Sequence, residues 1–489
     1  MSTIPRPGTE VEPKPWQTGL APVYIGMFLW IAFIDQLGRR ALPVGGLGWS
    51  LLGAAAAGPL SYLLLFRMPA LWGHRAGKPL DVVAGSTFGA RGVAIVPNLL
   101  IGMAQVLLFA VAVGYAIELT FQGLVLGGMV EARALRPAQV GGATLKSPLF
   151  LATALFWAVA TALVSLKFVR WIAYLMQFFP IFPALVIGGA MLATLTGLRS
   201  FHPTGIDPTR PFAVLPEGEG HLRAFLLTLQ WVFAFSAMAG VMGADWGSGS
   251  VSRRDVRVGG WVGIALAPAI VSALALIAVA GYQGSKEAAR QSEETRTARS
   301  TIQDLGAPSP GLDAPDFTFR AVMNGGFDRR VGCVMLLTFG LASLAPAVYS
   351  SFVFGVQFNA IGPGISKLTW TMLGTATAWL LIVVGWFERT EGVFNVLGAA
   401  FAPVAGAMAA DYLRHRGDWP GPRRGFNPAG LIAWAIGLSV GLLPTIGRAL
   451  GDERMAGLVA AAPLAFVAAF LVYLVLATAR LESAAGPKS

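Results

Sequence analysis

FAFSAMAGVMGADWGSGSVSRRD, Phe233 to Asp255, is the stretch that decides how this chain folds. It begins as an apolar helix of membrane type and runs into glycines, an acid and an Arg-Arg-Asp cluster without a clean stop. Inside a bilayer every backbone N–H and C=O must find a partner, so a helix loosens at depth only where protein or a water-filled cavity covers it. A broken helix of this kind points to a transport site.

The rest of the chain supplies the membrane setting. Of 489 residues, 55% are hydrophobic and only 12% charged, with mean hydropathy +0.64, which is more apolar surface than one water-soluble core can bury. Blocks long enough to cross about 30 Å of hydrocarbon at 1.5 Å per residue fall at 18–42, 45–66, 91–126, 148–166, 170–197, 222–246, 258–282, 329–358, 366–387, 391–412, 429–448 and 455–479. The spacing therefore predicts an all-α integral membrane protein with about twelve transmembrane helices in a domain spanning 18–479. Residues 1–17 read as a disordered tail with no cleavable leader, and 480–489 as a second tail. The segment 283–327 is polar and mixed in charge, and reads as an exposed, partly mobile external loop.

Charge sets the expected orientation. Lys and Arg concentrate in the loops on the side of the two tails, among them Arg67, Arg75, Arg253, Arg254, Arg414, Arg423 and Arg424, so both termini are expected to be cytoplasmic in a multi-pass cell inner membrane protein. The net charge of +11 fits loops facing anionic lipid and calls for no nucleic acid partner. The single Cys333 excludes an intrachain disulfide, and the four histidines are scattered without metal-ligand spacing. No His-Glu-x-x-His, Gly-x-Ser-x-Gly or paired intramembrane aspartates occur, so enzyme chemistry is not expected, and neither a cofactor nor a metal site is read.

Helix one, VYIGMFLWIAFIDQLGRR, places Asp35 and Gln36 beside Gly38, where an unwound turn could expose backbone carbonyls. In helix six Ser236, Gly240 and Gly243 form a small-residue stripe that lets a ligand or another backbone come close. Asp35 either lies near the site or pairs with Arg39 one turn on. Gln105 contacts either a ligand or another helix. Trp30, Trp231 and Trp246 read as stacking platforms or as lipid-facing belt residues.

Three segments resemble the nucleobase-cation symporter family, whose members include cytosine, purine, uracil, allantoin and hydantoin permeases. They are STFGARGVAIVPNLL (Ser86 to Leu100), GADWGSGSVSRRD (Gly243 to Asp255) and PVAGAMAADYLRHRG (Pro403 to Gly417). The resemblance implies five-plus-five inverted repeats, about 18–197 and 222–412, with helices one and six broken and two extra helices over 429–479. It implies a secondary transporter for a nucleobase or related heterocycle, with Asp35, Gln36, Gln105, Ser236, Gly240, Ser350 and Ser351 as candidate substrate contacts. Asp245, Trp246, Asp411 and Tyr412 take gating or structural roles in that reading. A coupling sodium would use Ser343 and a carbonyl of the helix-one break at Ile34, whereas a proton would use Asp35. The family's aromatic-plus-Gln and Asn grips are replaced by LLFAV and by LASLAPAVYSSF without Asn. Two other readings therefore stand beside the first: a same-fold carrier of an amine or amino acid with Asp35 as counter-ion, and a non-transporting sensor.

Overall fold

The computed structural model describes residues 13–140, 143–167, 178, 180–207, 210–214, 217–301, 315–484 and 486. Part of the expected fifth span and most of the N-terminal tail lie outside these. Among the described residues ten helices are long and apolar enough to cross a membrane. The first of them, Ile31–Ala76, divides at Gly46, and the shorter Lys367–Val383 adds another, which brings the count to the twelve expected.

Helix one comprises Leu20–Phe28 and then residues 31–45. Gly46 adopts φ +80°, a left-handed conformation that glycine takes without penalty, and the chain turns there into helix two, residues 47–76. Helices three to five are Leu100–Leu126, Pro148–Lys167 and Ile181–Thr194. Helix six is Glu217–Val241 followed by Gly243–Ser248, and helix seven runs from Arg253 to Thr301. Helix eight is Arg329–Ala342 and Leu344–Ile361. Helices nine to twelve are Lys367–Val383, Thr390–Arg414, Pro428–Leu450 and Ala461–Thr478.

Helix one packs along helix six, and helix three along helix eight. Helices two and seven each carry a π-helical turn, Ser61–Phe66 and Trp261–Leu266, and these meet with the Tyr62 and Trp261 rings 4.9 Å apart. Helices one to three thus lie against helices six to eight, their counterparts in two inverted repeats. Apolar side chains such as Phe156, Leu185, Leu380 and Ile436 point outward, as they do where lipid replaces water. We call the end of the bundle that holds Lys14 and the C-terminal segment the tail face, and the other end the far face.

The structure departs from the sequence expectation in three places. Residues 13–17, expected to be part of a disordered tail, pack on the end of helix six and the start of helix seven, where Lys14 N donates to Gly249 O at 3.0 Å and Trp16 N to Asp255 Oδ1 at 3.1 Å. The segment 283–327 is not simply a loop. Helix seven continues to Thr301, because KEAARQSEETRTARS contains strong helix formers and no Gly or Pro. Residues 302–314 lie outside the described part. The chain then returns at 315–318 to pack on helix one, and a short helix, Phe319–Gly325, follows with the Thr318 hydroxyl capping Ala321 N at 3.2 Å.

Helix one breaks earlier than expected, at Leu29 and Trp30. Trp30 is extended, with φ −73° and ψ 129°. Asp35 to Gly38 are regular helix. Gly38 serves close packing instead: a Cβ there would lie 2.7 Å from the carbonyl oxygen of Phe317.

Candidate substrate cavity

The breaks in helices one, six and eight face one another. Helix six is interrupted at Met242, and Ser343 divides helix eight. Between them lies a cavity of about 880 Å³ including its open side, walled by Tyr24, Trp30, Met238, Met242, Trp246 and Tyr349. Among the described residues its lining is mainly apolar and holds no charged side chain.

Polar groups are few, and two are unmatched. Gln105 of helix three is 1% exposed, and its Nε2 meets only the Met238 sulfur at 3.8 Å. Among the described residues its Oε1 has no hydrogen-bond partner, and neither does the buried Nε1–H of Trp30. An unmade buried hydrogen bond costs about 1–3 kcal/mol; both residues line the cavity, but the two atoms themselves are covered, so a ligand meets them only after the side chains turn toward it. Tyr24 donates its hydroxyl proton to Ala239 O at 2.9 Å, tying the two broken helices together.

Three residues of the cavity wall also border a second space. Met242, Trp246 and Tyr349 also line a vestibule on the tail face, together with Lys14, Asp245 and Gln357. Toward the far face the way is filled by rings. Trp30 meets Phe235 and Phe394 at 6.3 and 6.1 Å, Phe394 meets Trp231 at 4.9 Å, and Phe33 meets Phe235 at 4.7 Å. Arg40 lies 4.3 Å over the Trp231 ring. Beyond this plug, Arg320 joins Asp35 of helix one to Glu118 of helix three. The vestibule thus lies on the tail-face side of the cavity, and the ring plug and the Arg320 ion pairs lie on its far-face side.

The residues singled out from sequence divide accordingly. Gln105, Ser343 and Trp246 line the cavity. Asp35, expected either near the site or paired with Arg39, does neither: it is fully buried and held by Arg320. Gln36 faces a separate far-face pocket. Ser236, Ser350 and Ser351 are buried away from the cavity, and Ser236 and Ser351 donate to their own helices at Val232 O and Val348 O. Gly240 lets helix two approach, since a Cβ there would lie 2.6 Å from that of Leu65.

Asp245 borders the vestibule and accepts from Leu80 N at 2.7 Å. Asp411 takes the Ser86 and Thr87 hydroxyls at 2.8 and 2.9 Å, fixing helix ten to the 85–88 turn. Tyr412 packs edge-on to Trp72 at 5.8 Å. Trp30 and Trp231 are interior, at 7% and 1% exposure, and not belt residues.

Sequence reasoning missed Tyr24 and Tyr349. Tyr349 precedes Ser350 and Ser351, and the roughly 100° turn per residue carries it alone of the three into the cavity. For a cation, Ser343 lines the cavity beside Ala342, whose carbonyl loses its usual i+4 donor because that residue is Pro346. Gly26 and Leu29 flank the same space, whereas Ile34 lies past the break and does not line it.

The chain matches no family model and no curated protein by sequence. Solved structures do match. Mhp1, a nucleobase-cation-symport-1 family transporter, closed with bromovinylhydantoin bound, aligns over 98% of this chain and 96% of its own, with TM-score 0.62 and 14% identity. The chain shares that fold. Mhp1 in its inward-facing conformation aligns over 98% and 94%, with TM-score 0.60 and 15% identity. A sodium-coupled sialic acid symporter in a substrate-bound, outward-open state aligns over 97% and 92%, with TM-score 0.55 and 10% identity. The broken helices one and six are thus elements of a fold that these symporters also have.

Proposed function

We propose that the chain is a secondary transporter that works by alternating access and carries a small, uncharged planar heterocycle of nucleobase type. The observation that carries this reading is an aromatic-walled cavity at the helix breaks lined by Gln105 and Trp30, whose Oε1 and Nε1–H are covered and without a hydrogen-bond partner among the described residues. A ring with a donor and an acceptor on its edge stacks on such walls and satisfies both groups. The nucleobase-type fold and the hydantoin bound by Mhp1 support the same class.

An amine carrier with Asp35 as counter-ion is the weaker reading, because Arg320 already occupies both carboxylate oxygens. The same occupancy argues against proton coupling through Asp35. Ser343, the Ala342 carbonyl and the neighbouring backbone of Gly26 and Leu29 favour a hard cation such as sodium at the break. The Lys and Arg bias of the tail-side loops supports cytoplasmic termini, and the vestibule then faces inward.

The test is a thermal-shift panel of nucleobases, hydantoins and amines on the purified protein, with sodium or with choline. Stabilisation by an uncharged heterocycle, strengthened by sodium and lost in Gln105→Leu, is expected. Stabilisation by amines alone would overturn the reading.

A further inference from the structure

The far face holds a second pocket, distinct from the cavity and separated from it by the aromatic plug. It is lined by Arg39 and Arg40 of helix one, Arg389 and Glu391 at the start of helix ten, Arg448 of helix eleven, and Glu388. Four guanidinium groups thus face two carboxylates. Neither carboxylate is free to neutralise the surplus: Glu388 pairs with Lys146, and one oxygen of Glu391 is shared by Arg40 at 2.9 Å and Arg448 at 3.0 Å.

Two further observations favour an anion. Helix ten is 25 residues long and begins in this pocket without a side-chain cap. Thr390, Glu391 and Gly392 line the pocket, and the backbone N–H groups of a helix's first turn have no intrahelical acceptor. Arg40 is only 7% exposed, and among the described residues its Nε has no hydrogen-bond partner. A buried guanidinium with a spare donor is expensive to maintain, and Arg39 and Arg389 stand exposed at the rim.

We propose that this pocket is an oxyanion-binding site. It takes a phosphate or carboxylate group between Arg39, Arg389 and Arg448 at the uncapped start of helix ten, with Arg40 behind them. Planar guanidinium forks match the oxygens of such groups in pairs. The occupant either is soluble or is the headgroup of an anionic lipid, and the chemistry at the pocket is the same for both. Because the pocket bridges helices one, ten and eleven, its occupant holds those three together on the far face of the molecule.

The test uses the full chain in nanodiscs of phosphatidylcholine. Inorganic phosphate is titrated at constant ionic strength against chloride, and the melting temperature is read. A saturable rise is expected. Arg39→Gln and Arg389→Gln, both at exposed positions, should each weaken half-saturation about tenfold, as the loss of one charge-assisted hydrogen bond does. Arg253→Gln on the tail face should match the wild type, and Gln105→Leu in the central cavity should retain the phosphate response.

Replacing part of the lipid by phosphatidylglycerol distinguishes the sources. A rise that abolishes the further effect of phosphate assigns the site to a lipid headgroup, whereas an unchanged phosphate titration assigns it to a soluble oxyanion. Phosphate acting no more strongly than chloride, or equally on the wild type and both arginine variants, overturns the proposal.

Discussion

Arg320 holds Asp35 by both its backbone and its side chain. The backbone N–H donates to Oδ1 at 2.9 Å and Nε to Oδ2 at 2.8 Å, while the NH1 group reaches Glu118 Oε1 at 2.7 Å. One residue on the link between helices seven and eight therefore ties helix one to helix three on the far face. If helix one moves against helix three during transport, this triad has to open. Asp35→Ala leaves Arg320 with half its partners and is expected to cost about 3 kcal/mol of stability, the scale for breaking a buried pair. Thermal denaturation of Asp35→Ala, Arg320→Met and the double variant checks it. A double variant that loses as much as the two singles added together would show that the pair is not coupled.

Gln105 gives the opposite expectation. Its Oε1 satisfies no group among the described residues, so Gln105→Leu should leave the melting temperature unchanged or raise it, while abolishing ligand-induced stabilisation. Trp30→Phe removes the second unmatched group and should weaken ligand binding about tenfold while keeping the stacking face. Isothermal titration with the best ligand of the panel measures both.

At the tail face His415 follows helix ten, with Nδ1 3.0 Å from Asp411 Oδ1. The hydrogen bond to Asp411 raises the His415 pKa above its ordinary value, against the opposing effect of partial burial. A raised folded-state pKa stabilises the fold fully below the unfolded value, about 6.5, and that contribution is lost as pH rises through the folded value. Melting temperature measured from pH 5.5 to 8.5 should therefore fall more steeply in the wild type than in His415→Gln. Parallel curves would remove His415 from the account.

Gly240 tests the packing of helix six on helix two. Gly240→Ala places a methyl group against the backbone and Cβ of Leu65. The expected loss is about 1–3 kcal/mol, as for overpacking elsewhere. Denaturation should show it, and ligand affinity should change less than in Gln105→Leu, because Gly240 does not line the cavity.

The sequence by itself determined the membrane setting, the helix count and the places where the small-residue stripes run. Each follows from local composition: an apolar run about twenty residues long has few alternatives in a bilayer, and Ser236, Gly240 and Gly243 recur at helical spacing. The break of helix six at Met242 was legible in the glycines around it. The break of helix one was not, since Leu29 and Trp30 carry no local signal, and Gly38, which does, is spent on letting Phe317 approach.

Only the tertiary structure decided which polar residues face the cavity. Asp35 is bound to a partner 285 positions away, a pairing that no spacing rule encodes, and adjacent side chains such as Tyr349 and Ser350 point to different neighbours. Whether a buried polar group in a membrane helix is a ligand contact depends on whether another helix has already satisfied it. That is a property of the packed bundle and not of the segment that carries the residue.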